Sequence, residues 1–439
     1  MKRNAKRIAS VFLAVVLLIG LCLQVNVVYA EEAEMQQLPE VGQVVHGFRT
    51  VEIGHMDLIN AKTVLFEHEK TGARLFYIQS RDIDRSFTIA FRTPAVDNTG
   101  VNHVLEHITV SGSKKYPMNN VLFTIANQTY STFINAFTAP TVTAYPVSSL
   151  SEDQLLKLAE VYLDCVYYPL IYDDEKIFLR EGWRYELENA DAPLVINGTV
   201  YNEMKGSLAN ISTAALYNVL NTLYPGSYQA NVSGGDPSEI VNLTYDRVIE
   251  THRKYYHPSN SLMILYGNLD YTRFLKMIDE EYLSNFSKKD IEIDYRVVEP
   301  FSEKTEQTYK FPVTAGNNTK NAAQISYAFA LTDVSEEELI GLAILASALG
   351  QSTSPLQKAF REKQIGGNLS VGVADSFVQP VFMFIAENAD ETKKDEFREL
   401  IENSINDLVE NGCDKELVKA TLSAIMLQYS NITESSNLG

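Results

Sequence analysis

Along the first third of the chain, apolar and polar positions alternate in short runs. Residues 63–68, 74–79 and 86–92 are rich in β-branched and aromatic side chains, and they are separated by Lys70-Thr71-Gly72 and by Arg81-Asp82-Ile83-Asp84. Runs of this length with turn residues between them predict an antiparallel meander. The period then lengthens. A helix is predicted from about Thr99-Gly100 to just before Gly112-Ser113, a strand over 129–138, and a longer helix from Ser151. In the longer helix Ser151 and Gln154 have the capping-box spacing, and Leu155, Leu158, Tyr162, Leu163 and Val166 share one face. Helical patterns over 205–223 and 246–256 and a buried strand over 262–267 complete a first α+β domain near residue 285.

Residues 287–321 are polar and irregular, with two prolines, and read as a linker. A strand over 324–331 follows, then a helix capped by Ser335 and Glu338, strands over 369–374 and 381–386, and two helices from about Glu391 and Asp414. The fold class is therefore α+β, with two domains of mixed antiparallel sheet that carry helices on one side. The expected division is a leader over 1–30, an extension over 31–47, a first domain over 48–286, the linker over 287–321, and a second domain over 322–439. The order of elements in the second domain resembles that in the first, without a residue-level repeat. It looks short, because the chain stops on a polar run after a helix; a natural linker or a fragment would both give this.

Composition narrows the class. With 45% hydrophobic residues and 37 Lys+Arg against 56 Asp+Glu, net −19, the chain is neither disordered nor polytopic. Lys2, Arg3, Lys6 and Arg7 have no acidic counterpart in the first thirty residues, which leaves 33 basic against 56 acidic residues beyond them. That excess repels nucleic acid and is excluded as a nucleic-acid surface; it suits cationic partners, or simple solubility, equally well. The basic start, the apolar run 11–23 and Val28-Tyr29-Ala30 before Glu31-Glu32 have the layout of a secretory signal cut after Ala30. The apolar run is short for a span. The expectation is an exported protein, secreted or at the cell surface, with no stable membrane span after cleavage, and a retained anchor is the alternative. Cys22 follows the large Leu21, unlike a lipoprotein site. Cys165 and Cys413 then remain, too few and too distant for a disulfide framework. Cys165, inside an amphipathic helix, reads as a buried small hydrophobe.

Seven histidines are present, and two of them fall in His103-Val104-Leu105-Glu106-His107. On a helix the two imidazoles stand one turn apart on one face and can meet one ion, while Glu106 lies beside that face. This is the inverted H-x-x-E-H arrangement. Neutral imidazole suits zinc, and a catalytic zinc takes three protein ligands and leaves a position for water. A pair of solvent-facing histidines around a carboxylate is the bland alternative. The third ligand cannot be chosen from composition among 56 carboxylates.

The motif continues into Gly112-Ser113-Lys114-Lys115-Tyr116-Pro117 and resembles the pitrilysin-type inverzincin peptidases, in their presequence-protease branch. Further matches follow in order: Ser131-Thr132-Phe133-Ile134-Asn135-Ala136-Phe137-Thr138, Glu181-Gly182-Trp183-Arg184, Tyr201-Asn202-Glu203-Met204-Lys205-Gly206, Ser233-Gly234-Gly235-Asp236-Pro237 and His257-Pro258-Ser259-Asn260. The resemblance implies pitrilysin-like domains and one Zn2+ per chain held by His103, His107 and Glu203, with Glu106 as general base. It also implies an edge strand at which Asn135 and Ala136 pair with the substrate backbone. Glu181 either orients a ligand histidine or pairs with Arg180 or Arg184. His257 and its Pro258 read as a turn into the buried strand. The expected activity is zinc-dependent endopeptidase action on unstructured peptides. Members of this branch are about twice as long, and an Arg and a Tyr of their second half bind the scissile carbonyl; a C-terminal half or a partner chain is expected to supply these. The competing reading is a non-catalytic or partner-dependent subunit that binds peptide without turnover.

Overall fold

Alternating runs near the N-terminus do form strands, but not a simple meander. The strands of the first part are β1 (Val44–Val45), β2 (Phe48–Met56), β3 (Ala61–His68), β4 (Arg74–Gln79), β5 (Arg85–Arg92), β6 (Ser131–Ile134), β7 (Phe137–Thr138), β8 (Val142–Ser149), the small hairpin β9 (Arg184–Glu186) with β10 (Val195–Asn197), and β11 (Ser261–Tyr266). β1 to β4 pair antiparallel in sequence order. β5 does not join β4. Instead β11 lies between them, parallel to β4 and antiparallel to β5, so the sheet runs β1-β2-β3-β4-β11-β5-β8-β6, with β7 also on β8. β11 is the strand expected over 262–267, and it lies in the middle of the sheet, as its Leu-Met-Ile-Leu run suits.

This computed structural model describes residues 35–430 apart from Asp294, Arg296, Pro300, Ser302, Asn317 and Ser376. The expected leader 1–30, with Cys22, and residues 431–439 lie outside the described residues.

Helices α1 (Val101–Thr109), α2 (Val121–Gln128), α3 (Glu152–Tyr167), α4 (Lys176–Glu181), α5 (Thr199–Ser207), α6 (Ile211–Leu223), α7 (Pro237–Ile240), α8 (Tyr245–Tyr255) and α9 (Tyr271–Met277) follow. α3 lies on β5 and β8, and buries Leu155, Leu158, Tyr162, Leu163 and Val166 against Phe87, Ile89, Tyr145 and Val147. Each such large side chain contributes about 1.5–3 kcal/mol of transfer free energy. Its cap is half of the expected box. Ser151 accepts from the Gln154 N–H, but the Gln154 side chain accepts from the Tyr130 N–H at 2.9 Å and so ties the helix to the start of β6. The helix expected over 205–223 is two helices, because the Asn210 side chain accepts from Ser212 and Thr213 and starts α6 afresh.

The strand expected over 129–138 is broken into β6 and β7. Asn135 and Ala136 fall in the gap, opposite Pro146 of β8. Pro146 has no N–H for a ladder partner, so only its carbonyl is used, by the Asn135 N–H at 3.2 Å.

A second, three-stranded sheet runs β12 (Ala323–Ala330), β14 (Val381–Ala389), β13 (Asn368–Ala374), all antiparallel. One face packs on α10 (Glu336–Gly350), α11 (Pro355–Glu362) and α12 (Lys394–Asn411) through Phe360, Phe384, Phe397 and Ile401, and α13 (Lys415–Ser430) lies against α10. The other face packs on α6 through Leu220, Tyr224, Val381 and Met383. Ser335 and Glu338 form the full capping box of α10. Among the described residues of 287–321 there is no helix or strand. Cys165 is buried and Cys413 exposed, neither in a disulfide. The architecture is α+β with mixed sheet and helices, as the sequence predicts.

Candidate metal centre

α1 turns an apolar face into the protein. Val101, Val104, Leu105 and Ile108 are buried, and the Asn102 amide donates to the Thr93 and Pro94 carbonyls at 2.9 and 3.1 Å, fixing the first turn to the end of β5. The stripe left over is His103, Glu106 and His107. The two imidazole rings stand 5.0 Å apart, centroid to centroid. Across from them α5 brings Glu203, whose Oε2 is 3.7 Å from His103 Nε2 and 3.5 Å from His107 Nε2. One ligand atom from each of the three residues lies within 4.8 Å of the other two, a group able to hold a metal ion.

The far sides of both rings are held. His103 Nδ1 is 3.0 Å from the Gly234 carbonyl. A carbonyl only accepts, so Nδ1 carries the hydrogen, and Nε2 is the ring atom that faces Glu203. His107 Nδ1 is 3.7 Å from Glu181 Oε2. Glu181 also accepts from Arg180 Nε at 2.7 Å and from the Ser111 hydroxyl at 3.2 Å. Both readings of Glu181 are thus present at once: it pairs with Arg180 and stands behind His107, while Arg184 pairs with Glu186 instead. Burial pushes the Glu181 carboxyl up, but His107 and Arg180 outweigh it and bring it to about 2. Burial likewise pulls the His107 imidazole down, and the Glu181 and Glu203 carboxylates outweigh it, to about 9. Contact with His107 holds Glu203 below the usual carboxylate range.

Glu106 differs from Glu203. It is 7% exposed, and burial raises its carboxyl, with the Thr138 hydroxyl, donating to Oε2 at 2.7 Å, and the two imidazoles opposing. Thr138 stands in β7, so the edge of the sheet supports this side chain directly. The roles of Thr138, Ser111 and Gly234 escape a reading of the sequence, since each meets the site through a contact remote in the chain; Thr138 and Gly234 stand in runs that match the family, but nothing local says what they touch.

Asn135 and Ala136 sit at the outer end of the sheet. The Asn135 N–H already donates to Pro146, its carbonyl accepts from the Tyr162 hydroxyl at 2.7 Å, and its side chain accepts from the Ala136 N–H at 2.9 Å. The expectation that Asn135 offers its main chain to a peptide is corrected accordingly, because those groups are already paired. β6 keeps an outer edge with no strand beside it among the described residues. His257 is in the turn before β11, where Nδ1 accepts from the Ser259 N–H.

Two family models match the chain: Insulinase (Peptidase family M16) over residues 92–208, and the Peptidase M16 inactive domain over residues 242–425. The protein HypA of Clostridium perfringens is 40% identical over 382 residues, 86% of this chain and 39% of its own length. The mitochondrial presequence protease of Xenopus laevis is 31% identical over 409 residues, 90% of this chain and 39% of its own. The chain thus spans about two-fifths of the length of these relatives. Among solved structures, pitrilysin superposes with a TM-score of 0.59 at 17% identity, over 84% of this chain and 39% of pitrilysin. A protease from Helicobacter pylori superposes with a TM-score of 0.64 at 15% identity, over 88% of this chain and 86% of that one.

These relatives overturn one expectation, export. The presequence proteases are named for mitochondria, or for chloroplasts and mitochondria. A basic, acid-free N-terminus is common to export signals and organellar transit peptides, so its charge pattern alone does not assign a compartment. Among the described residues no single helix is long and apolar enough to cross a membrane. From the two matched models, the presequence-protease relatives and the pitrilysin fold, the chain belongs to the M16, or insulinase, family of peptidases, in its presequence-protease branch.

Proposed function

We propose that the chain is the metal-bearing half of a zinc-dependent endopeptidase that hydrolyses unstructured peptides, with residues 48–286 as its peptidase domain and 322–439 as a second domain of the same type. The observation that carries this is the convergence of two imidazole Nε2 atoms and one carboxylate oxygen, with a separate buried carboxyl, Glu106, beside them. Four-coordinate zinc with arms of about 2.0–2.1 Å sets its ligands about 3.4 Å apart. The 3.5 and 3.7 Å separations fit that tetrahedron, so His103, His107 and Glu203 are the residues that would hold the metal. Zinc in this position supplies Lewis-acid activation of a water and of the scissile carbonyl.

The chain's own residues do the rest. Glu106, raised by burial, accepts the proton of the attacking water and returns it to the leaving amine. Thr138 keeps one oxygen of that carboxyl fixed, so the other faces the reacting atoms. Gly234 and Glu181 hold the two imidazoles from behind. The outer edge of β6 takes the peptide as an added strand, with Ala136 next to it.

Metal analysis of the purified chain tests the ligand set. One zinc per chain is expected, and Glu203→Ala and His107→Ala each lose it; full occupancy in either variant removes that ligand. A second reading has its own support, since one of the two matched models is described as an inactive domain and the chain spans 39% of its relatives. In it the chain binds peptide but needs a partner half for turnover. Peptidase activity that rises only when a downstream half-chain is added selects this reading, and robust activity of the chain alone rejects it.

A further inference from the structure

The segment 228–236 joins two places that are remote from each other. At one end it meets the metal centre. The Gly234 carbonyl receives the His103 Nδ1–H, and a Cβ on Gly234 would lie 2.5 Å from the sulfur of Met204, the neighbour of Glu203 on α5. At the start of α1 a Cβ on Gly100 would lie 2.5 Å from the same Gly234 carbonyl. One short loop therefore touches both helices that bear the proposed ligands, at a closeness that only glycine permits. It is pinned there by the Asn231 amide, which donates to the Ala95 carbonyl at 2.7 Å, and by Asn98, whose side chain accepts from Val232 N–H at 2.7 Å and whose carbonyl accepts from Asp236 N–H at 2.8 Å.

At its other end the segment grips the loop between β13 and β14. The Gln229 amide donates to the Gln379 carbonyl at 3.0 Å and accepts from the Gln379 N–H at 2.9 Å, as a neighbouring strand would. Gln379 repeats the device, donating to the Val298 carbonyl and accepting from its N–H, both at 2.8 Å. Tyr228 accepts from the Val378 N–H at 2.9 Å. Gln229 and Gln379 are 1% and 4% exposed. Two buried amides with both ends satisfied by backbone leave little freedom, and neither can swing away without stranding main-chain groups.

We propose that residues 228–236 act as a strut, with Gln229 and Gln379 as positioning residues: the seating of the β13–β14 loop sets the loop at Gly234, and through it the orientation of His103 and the approach of α5. The proposal rests on the reading of His103, His107 and Glu203 as metal ligands. It gives the three-stranded sheet a task in a site to which it contributes no ligand.

The test uses the whole chain and zinc alone, with affinity read by chelator competition. Gln229→Met keeps the volume and removes both bonds to the Gln379 backbone, and Gln379→Met removes the pair to Val298 that seats the loop; each is expected to weaken zinc about tenfold, the lower end of what loss of a ligand's support costs. The double variant is expected to be no weaker than the worse single one, because the two act as a unit. Phe397→Ala loosens the same sheet from its helix side, away from the strut, and is expected to leave zinc affinity within about twofold. In metal-free chain, amide exchange at Val232 and Asp236 is expected to quicken in Gln379→Met and not in Phe397→Ala. Unchanged affinity and exchange in the glutamine variants overturns the strut, as does an equal loss of affinity in Phe397→Ala. If the unmutated chain binds no zinc, the reading of the metal centre fails instead, and the exchange result alone judges the mechanical link.

Discussion

Glu106 and Glu203 approach the same two imidazoles, yet their surroundings drive them in opposite directions. Burial raises the first, and contact with His107 lowers the second. Such divergence separates a group that exchanges protons from one that stays charged. Glu106→Gln keeps shape and hydrogen-bonding capacity but accepts no proton, so the variant is expected to hold zinc as the unmutated chain does, while peptide hydrolysis, measured with any completing half present, falls by several powers of ten. Turnover within tenfold of the unmutated chain would remove Glu106 from the chemistry. His103, Glu106 and His107 were legible in the sequence because helical period alone sets them together. Glu203 was not: it arrives from a helix almost a hundred residues later, and only the resemblance singled it out. Thr138 stood in a matched run, but its role did not show, because that role exists only once β7 is folded beside α1.

α8 carries a test at the level of an element. His252 is buried, with Nε2 2.9 Å from the Val166 carbonyl, Nδ1 2.7 Å from the Tyr172 hydroxyl and its ring stacked on Tyr256 at 4.7 Å. The carbonyl fixes the hydrogen on Nε2, so Nδ1 accepts from Tyr172 and the ring is neutral. Burial draws its pKa down to about 4, against the opposing pull of the Val166 bond. Between about 6.5 and about 4 the unfolded chain therefore binds a proton that the folded chain does not, and stability declines as pH falls through that window. The decline from this group is about 3 kcal/mol. His252→Gln is expected to flatten the acid limb of stability in urea melts over this range, whatever its own stability at neutral pH; an unchanged limb would show that His252 does not drive it. Other elements were hard to read. β8 is buried at seven of its eight positions, so it shows no alternation, and it contains Pro146. β2 loses its period at the register shift between Thr50 and Glu52. α2 is apolar, but only Val121 is fully buried, packed with Val161 and Cys165, while Phe123 is 65% accessible, so its apolar run overstates its core.

For the whole molecule, the proposed binding of peptide at the end of the main sheet limits which substrates fit. A strand added beside β6 must bring free backbone donors and acceptors, which a folded domain has already used. Given a cationic peptide, an anionic peptide of equal length and a stable folded domain together, the completed enzyme is expected to degrade the peptides and spare the domain. The net charge of −19 favours the cationic peptide at low salt, an advantage that fades as salt is added. Comparable cleavage of the folded domain, followed by mass spectrometry, would refute edge-strand recognition. The order of the same sheet also bears on how the protein is made. β4 and β5 are separated by five residues, yet the slot between them belongs to β11, about 180 residues further along. At a ribosomal pace of about 5–20 residues per second, that slot stands open for roughly ten to forty seconds after β4 has emerged. During that interval β4 and β5 each show an unpaired edge, and a direct β4–β5 hairpin is the nearest wrong partner. Chain emergence, more than the strength of any single contact, thus sets when this sheet becomes safe from mispairing, and a nascent chain halted before residue 261 is the form most exposed to capture by chaperones or by its neighbours.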